Sequence, residues 1–152
     1  MTSPNSKTGL KILAIIVSII VMALAVVISK LTVNNVFGSS DVNIESQLLK
    51  MTNEINKRCP FMVDSETRLD NTGAYRKNIY YYYTLINQNI EEVDVKYLIY
   101  KVKPRLLNSI ETNPDMKFLR DHKVTFIYKY RDKSGINIVS FKFTPQDYLE
   151  LK

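Results

Sequence analysis

The 152 residues include a single cysteine, a single histidine and only four glycines, and no acidic residue precedes Asp41. Each scarcity closes a class of chemistry. Cys59, standing alone, forms no intramolecular disulfide and no cysteine-based zinc cluster, which leaves pairing between chains as its one route to a disulfide. It follows Lys57 and Arg58, a setting that lowers a thiol pKa when the side chain is exposed. Free cysteine is among the most buried residue types, however, so a packed thiol beside Pro60 is the simpler expectation. His122 alone supports neither an imidazole metal site nor a nucleophile-histidine triad, and nothing in the spacing brings Cys59 to it as a dyad. Gly9, Gly38, Gly73 and Gly135 are far apart, so no glycine-rich loop cradles a phosphate and nucleotide-dependent catalysis is disfavoured. No cofactor or metal is expected.

The formal net charge is +6, and Lys7, Lys11 and Lys30 carry a good part of it around one apolar run. The other basic residues are nearly matched by the 15 acidic ones and form no block, so no nucleic-acid partner is expected.

Residues 12–29, ILAIIVSIIVMALAVVIS, hold no charge. As a helix they reach about 27 Å, close to the thickness of a bilayer hydrocarbon core. Lys11 and Lys30 flank the run, where their stems lie along apolar surface while the ammonium groups reach the headgroups. The α-amine, Lys7 and Lys11 precede it and Lys30 alone follows closely, which places the N-terminus in the cytoplasm. The expected partition is a cytoplasmic N-terminus at 1–11, a transmembrane helix at 12–29, a tether at 30–41 and an extracytoplasmic domain at 42–152. The address is the bacterial inner membrane, with the domain in the periplasm or at the exterior. Ala23, Leu24 and Ala25 have the small-x-small form of a signal-peptidase site, so secretion after cleavage near Ala25 is the alternative. Val26, Val27 and Ile28 continue the apolar run past that cut and favour the uncleaved anchor.

Beyond Val42, Ile44, Leu48, Leu49, Met51 and Ile55 recur at helical spacing, and the helix should end near Arg58 because Pro60 disfavours helical geometry in Cys59. Residues 62–70 alternate, which predicts a strand with Asp64, Glu66, Arg68 and Asp70 on one face. A turn is expected at 71–74, then a tyrosine-rich strand at 79–86 covered on both sides. A second helix is expected over 91–110, with Val95, Leu98, Ile99, Val102, Leu106 and Ile110 on one face and a kink or break at Pro104. A short helical turn at 116–120 precedes a hairpin of strands 123–131 and 136–144, with Gly135 in the left-handed position of its loop. The fold class is α+β, in the order α-β-β-α-β-β, with an antiparallel sheet packed by helices.

Candidate binding residues are Asp64, Glu66, Arg68 and Asp70, with Tyr80 and Tyr82 able to stack on a ligand. Carboxylate pairs such as Asp64 and Glu66 serve glycosidase-like or metal-assisted chemistry, but Arg68 between them makes a cross-strand salt-bridge ladder the simpler account.

The stretch CPFMVDSETRLDN, followed by YYYYTLIN, resembles a pattern of small bacterial proteins in which a Pro-x-x-Val-Asp-x-x-Thr-Arg-Leu-Asp-like segment precedes a Tyr-x-Tyr-Thr strand. It covers Pro60 to Asn87, with a weaker echo from Asn113 to Arg120. The resemblance implies a membrane-anchored or secreted bacterial domain. Such proteins carry no assigned activity, so it transfers no functional residue.

The expected function is that of a non-enzymatic, single-pass envelope protein whose outer domain binds a protein partner, as an accessory of secretion or envelope assembly. An immunity or phage-exclusion protein of a mobile element is the alternative. A secreted enzyme using Asp64, Glu66 and Asp70 is the third reading and requires those carboxylates to cluster in a pocket.

Overall fold

The structure, a computed structural model, describes residues 44–149. The expected transmembrane helix at 12–29 and the segments at 1–11 and 30–41 lie outside the described residues. Among the described residues no helix is long and apolar enough to cross a membrane.

Helix α1 (Ile44–Asn56) buries Leu48, Met51 and Ile55, spaced to form one stripe, and leaves Leu49 largely exposed. Its last residue fastens it to the sheet. Asn56 Nδ2 donates to the Thr72 carbonyl at 2.8 Å, and Asn56 Oδ1 accepts from the Thr72 N–H at 2.7 Å.

The single strand expected at 62–70 is two strands, β1 (Phe61–Met62) and β2 (Thr67–Tyr75). Between them Asp64 Oδ1 accepts from the N–H groups of Glu66 and Thr67, both at 2.7 Å. A short acidic side chain competes for its own backbone N–H groups, and here that local turn wins over the alternating pattern. The turn expected at 71–74 instead lies inside β2, where Thr72, Gly73 and Ala74 pair in register with Tyr81, Tyr80 and Ile79 of β3 (Asn78–Leu85). The chain reverses after Tyr75, with Arg76 at a φ of 54°.

The connection from β3 to β4 (Thr125–Arg131) is a helical crossover. It starts with a 3-10 turn (Ile90–Glu92), continues through α2 (Val95–Tyr97) and a π-helical turn (Leu98–Val102), and leads into α3 (Lys103–Thr112). Pro104 explains the widened turn: it has no N–H for the Tyr100 carbonyl, and the Lys103 N–H bonds instead to the Leu98 carbonyl, five residues back. The extra residue rotates the apolar stripe, which buries Leu98, Val102, Leu106 and Ile110 but leaves Ile99 42% exposed rather than on the buried face expected for it. A 3-10 turn (Pro114–Met116) and α4 (Lys117–Asp121) complete the crossover.

The crossover returns the chain to the starting end of β3, so β4 runs parallel to it. The sheet has the order β1-β2-β3-β4-β5 and is mixed, which corrects the antiparallel expectation: β3 and β4 are parallel and its other pairs antiparallel. The terminal hairpin is present, β5 being Asn137–Phe143, with Gly135 at a φ of 87°. A final helix, α5 (Pro145–Leu149), was not expected from the sequence; it buries Tyr148, whose hydroxyl donates to the Val124 carbonyl at 2.7 Å.

The helices cover one face of the sheet. Along β3 the covered face takes Ile79, Tyr81 and Tyr83, all 0% exposed. Tyr81 stacks on Tyr128 and Tyr83 on Tyr130, with ring centroids 5.1 and 5.2 Å apart, because the parallel register sets these residues side by side. Phe141 and Phe143 close the aromatic layer edge-on.

Candidate functional site: an open, cationic and aromatic sheet face

Among the described residues the helices leave the other face of the sheet open, so β3 is not covered on both sides as its tyrosine-rich sequence had suggested. Tyr80 and Tyr82 remain half-buried there, and the register lays out this face in rows across β2, β3, β4 and β5. One row is Arg68, Thr84 and Arg131. The next is Asn71, Tyr82, Lys129 and Ser140, and the third is Gly73, Tyr80, Ile127 and Lys142.

A bulge between Leu69 and Asn71 turns Asp70 toward the first row. Its Oδ1 accepts from Arg68 Nε at 2.6 Å, and its Oδ2 accepts from the Thr84 hydroxyl at 2.5 Å and from Arg131 Nη2 at 3.0 Å. Arg131 Nε also donates to the Thr84 hydroxyl at 2.9 Å. Burial alone would raise the Asp70 carboxyl, but the hydrogen bonds from Thr84, Arg68 and Arg131 outweigh it and hold the group below the ordinary carboxylate value. This cluster ties three strands together at one end of the face.

Further along, Tyr80 and Tyr82 are aligned with centroids 6.4 Å apart. Lys129 Nζ lies over both rings, 5.7 and 5.5 Å from their centroids. Gly73 opposes Tyr80 and leaves open space where a side chain would stand, so the tyrosines form a ridge beside a low floor.

Four of the six candidate residues therefore share this face: Arg68, Asp70, Tyr80 and Tyr82. Asp64 and Glu66 do not join them. Asp64 is 9% exposed in the turn after β1, its Oδ2 is buried without a hydrogen-bond partner, and its charge adds to the upward push on the Tyr130 phenol of the covered face. Burial raises the Asp64 carboxyl against the N–H groups of Glu66 and Thr67 that favour its charge. Glu66 is half-buried in the same turn, where its carbonyl accepts from the Ile86 N–H at 2.9 Å. The same-face row of Asp64, Glu66 and Asp70 needed for acid-base work is thus broken by the turn. Among the described residues no group of three or more His, Cys, Asp or Glu side chains is placed to hold a metal ion.

Lys142 was not singled out from the sequence. Alternation within the terminal hairpin places it, with Lys129, opposite the aromatic face, and that was the available signal. Cys59 is half-buried, and burial together with the Asp70 charge pushes its thiol up, away from a reactive thiolate. His122 is exposed, with Nδ1 2.8 Å from the Phe118 carbonyl, just before β4 begins beside the first residues of β3. Cys59 lies toward the opposite end, near Asp70 and Tyr83, so the two form no dyad.

No curated protein matches the chain. Three solved structures share the fold. A candidate secreted protein of Pseudomonas aeruginosa is 14% identical with a TM-score of 0.54, the alignment covering 72% of this chain and 98% of that one. The type II secretion system pilotin of Vibrio vulnificus is 9% identical with a TM-score of 0.55, over 68% of this chain and 90% of its own. The Vibrio cholerae type II secretion system pilotin is 10% identical with a TM-score of 0.54, over 69% and 92%. At the level of sequence, a family model matches residues 43–139, and by that match the chain belongs to the family described as a domain of unknown function, DUF8479.

Proposed function

We propose that this protein is a non-enzymatic envelope protein, anchored by the apolar run at 12–29, whose exported domain binds a protein partner as an accessory of secretion or envelope assembly. The observation that carries this reading is the fold shared with two type II secretion system pilotins over nine-tenths or more of their lengths. The likeness to a candidate secreted protein supports export of the domain. The apolar run supplies the route across the membrane and, when it is not cleaved, the attachment. An exposed sheet face that combines aromatic rings with charge suits recognition of another protein.

The test is crosslinking in intact cells that produce the full chain, followed by solubilisation and affinity capture. A reproducible crosslink to an envelope protein, dependent on residues 44–149, is the expected result. A domain facing the cytoplasm in protease-accessibility assays would overturn the proposal. A mature protein shorter by about 25 residues would replace the anchor with a cleaved leader and keep the export.

A further inference from the structure

We infer that the open face of the sheet is the docking surface for an acidic, extended peptide segment of the protein partner, with Lys129 and Lys142 as its carboxylate-binding residues and Tyr80 and Tyr82 as its stacking platform. The inference rests on the protein-binding reading and names the chemistry of the partner.

Charge complementarity selects the occupant. Among the described residues the face carries four cations, Arg68, Lys129, Arg131 and Lys142, and Asp70 as the carboxylate turned toward it. Asp70 is already shared by Arg68, Arg131 and Thr84. Lys129 has tyrosine rings for company and no carboxylate within ion-pair distance among the described residues. Lys142 feels the charge of Asp147 on α5, but that carboxylate is held by the Thr144 N–H and hydroxyl and makes no ion pair with it among the described residues, so the face keeps positive charge that is only partly offset.

Spacing then selects the form of the ligand. Lys129 pairs with Ser140, which makes Lys142 its diagonal neighbour across the strands, about 7–8 Å away by sheet geometry. Alternate side chains of an extended chain are about 6.5–7 Å apart, so carboxylates at positions i and i+2 of such a chain reach both lysines. The residue between them points the other way. The space left by Gly73 beside the Tyr80 and Tyr82 ridge accepts a backbone lying close to the sheet, and the rings offer their faces to the peptide side chains.

An anionic bilayer is the other surface that a cationic face attracts, but the centre of this face lacks the projecting aliphatic groups that insert into one. There Ile127 is 8% exposed, and the two large apolar side chains that do project on this face, Met62 beside Arg68 and Tyr75 beyond Gly73, stand apart at its margins, while Ile99, Tyr100 and Ile136 lie off it on the crossover helices and in the hairpin loop. Peptide docking is favoured on that ground.

The experiment uses the full chain in non-ionic detergent micelles and a fluorescent decapeptide of alternating Glu and Val. Binding should perturb the ring resonances of Tyr80 and Tyr82, weaken as salt rises, and weaken by about tenfold in Lys129→Glu and in Lys142→Glu. Lys142 is exposed, so its variant keeps the test open should Lys129→Glu fail to fold. Lys101→Glu, exposed on the crossover, should bind as the parent does. The inference is overturned if Lys101→Glu weakens binding as much as Lys129→Glu. Equal binding of the peptide with Lys in place of Glu also overturns it, as does perturbation of the rings by phosphatidylglycerol vesicles and not by the peptide. A cellular partner that crosslinks at Tyr100 of the helical layer and not at Tyr82 overturns this surface while leaving the protein-binding function standing.

Discussion

Tyr80, Tyr81, Tyr82 and Tyr83 are identical in composition and opposite in fate. Tyr81 and Tyr83 are fully enclosed under the helices and stack in parallel register on Tyr128 and Tyr130, while Tyr80 and Tyr82 lie half-exposed under a lysine. The alternation of a strand separates them, and the placement of the described helices on one side decides which pair becomes core. One face of this sheet makes the fold, and among the described residues the other is left open.

The sharpest way to break that comparison is truncation on each face. Phe126→Ala removes a 0% exposed ring that packs edge-on against Tyr148 and should lower unfolding free energy by about 3–5 kcal/mol in denaturant titration. Tyr82→Ala, on the open face, should cost less than about 1 kcal/mol. Equal losses would mean that the second face is as much a core as the first.

A smaller effect is expected at the end of the sheet where the two faces meet the crossover. Asp132 is 1% exposed, and its carboxylate accepts from the N–H groups of Ile90, Ser134 and Ile136 at 3.1, 2.8 and 2.8 Å. It fixes the hairpin loop and holds the start of the crossover against it. Asp132→Ala leaves those donors without their acceptor and should cost about 2–3 kcal/mol by the same titration. A loss confined to local hydrogen exchange in residues 133–136, with global stability intact, would restrict Asp132 to the hairpin.

Periodicity made most of the covered face legible. The stripe of α1, the aromatic side of the terminal hairpin and the disruption at Pro104 all follow from spacing, since each depends on local geometry that a short window contains. Asp64 was misplaced because a strand and an Asx-type turn both tolerate alternating polar residues, and the choice depends on where Thr67 finds its long-range partner in Leu85. The parallel pairing of β3 and β4 was hidden for a related reason: tyrosine-rich strands read alike in either direction, and only the path of the crossover orients the second. At the site, Arg68, Asp70, Tyr80 and Tyr82 were found by alternation. Lys142 was missed because its value lies in a register between strands, beside Lys129, that the sequence does not display.

Asp70 sharpens the comparison through pH. Its folded value is depressed, so its contribution to stability is complete above the unfolded-state value of about 3.9 and is lost as pH falls through the folded one. Asp64, with a raised value, has the opposite sign: its ionised form is disfavoured by the fold, and protonation on acidification relieves that penalty. Asp70→Asn should cost about 1–2 kcal/mol at neutral pH, given partners that are nearly half-exposed, and should flatten the acid limb of the stability curve below about pH 4. An unchanged limb would show that the open-face cluster contributes no ion-pair stability.

The finest contrast is a single oxygen atom. Tyr83 keeps its hydroxyl buried without a hydrogen-bond partner, and burial, reinforced by the surrounding phenols and Cys59, pushes its ionisation well above the ordinary phenol value. Removing an unpaired buried hydroxyl while keeping the ring abolishes a desolvation cost and retains the stack on Tyr130. Tyr83→Phe should therefore be neutral or stabilise the protein by up to about 1 kcal/mol, whereas Tyr82→Phe, whose hydroxyl lies on the open face, should leave stability unchanged within about 0.5 kcal/mol. Thermal unfolding of the two variants side by side resolves the difference in sign. Destabilisation by Tyr83→Phe would show that the enclosed hydroxyl has a partner of its own, such as a bound water, and that the covered face is less dry than its packing implies.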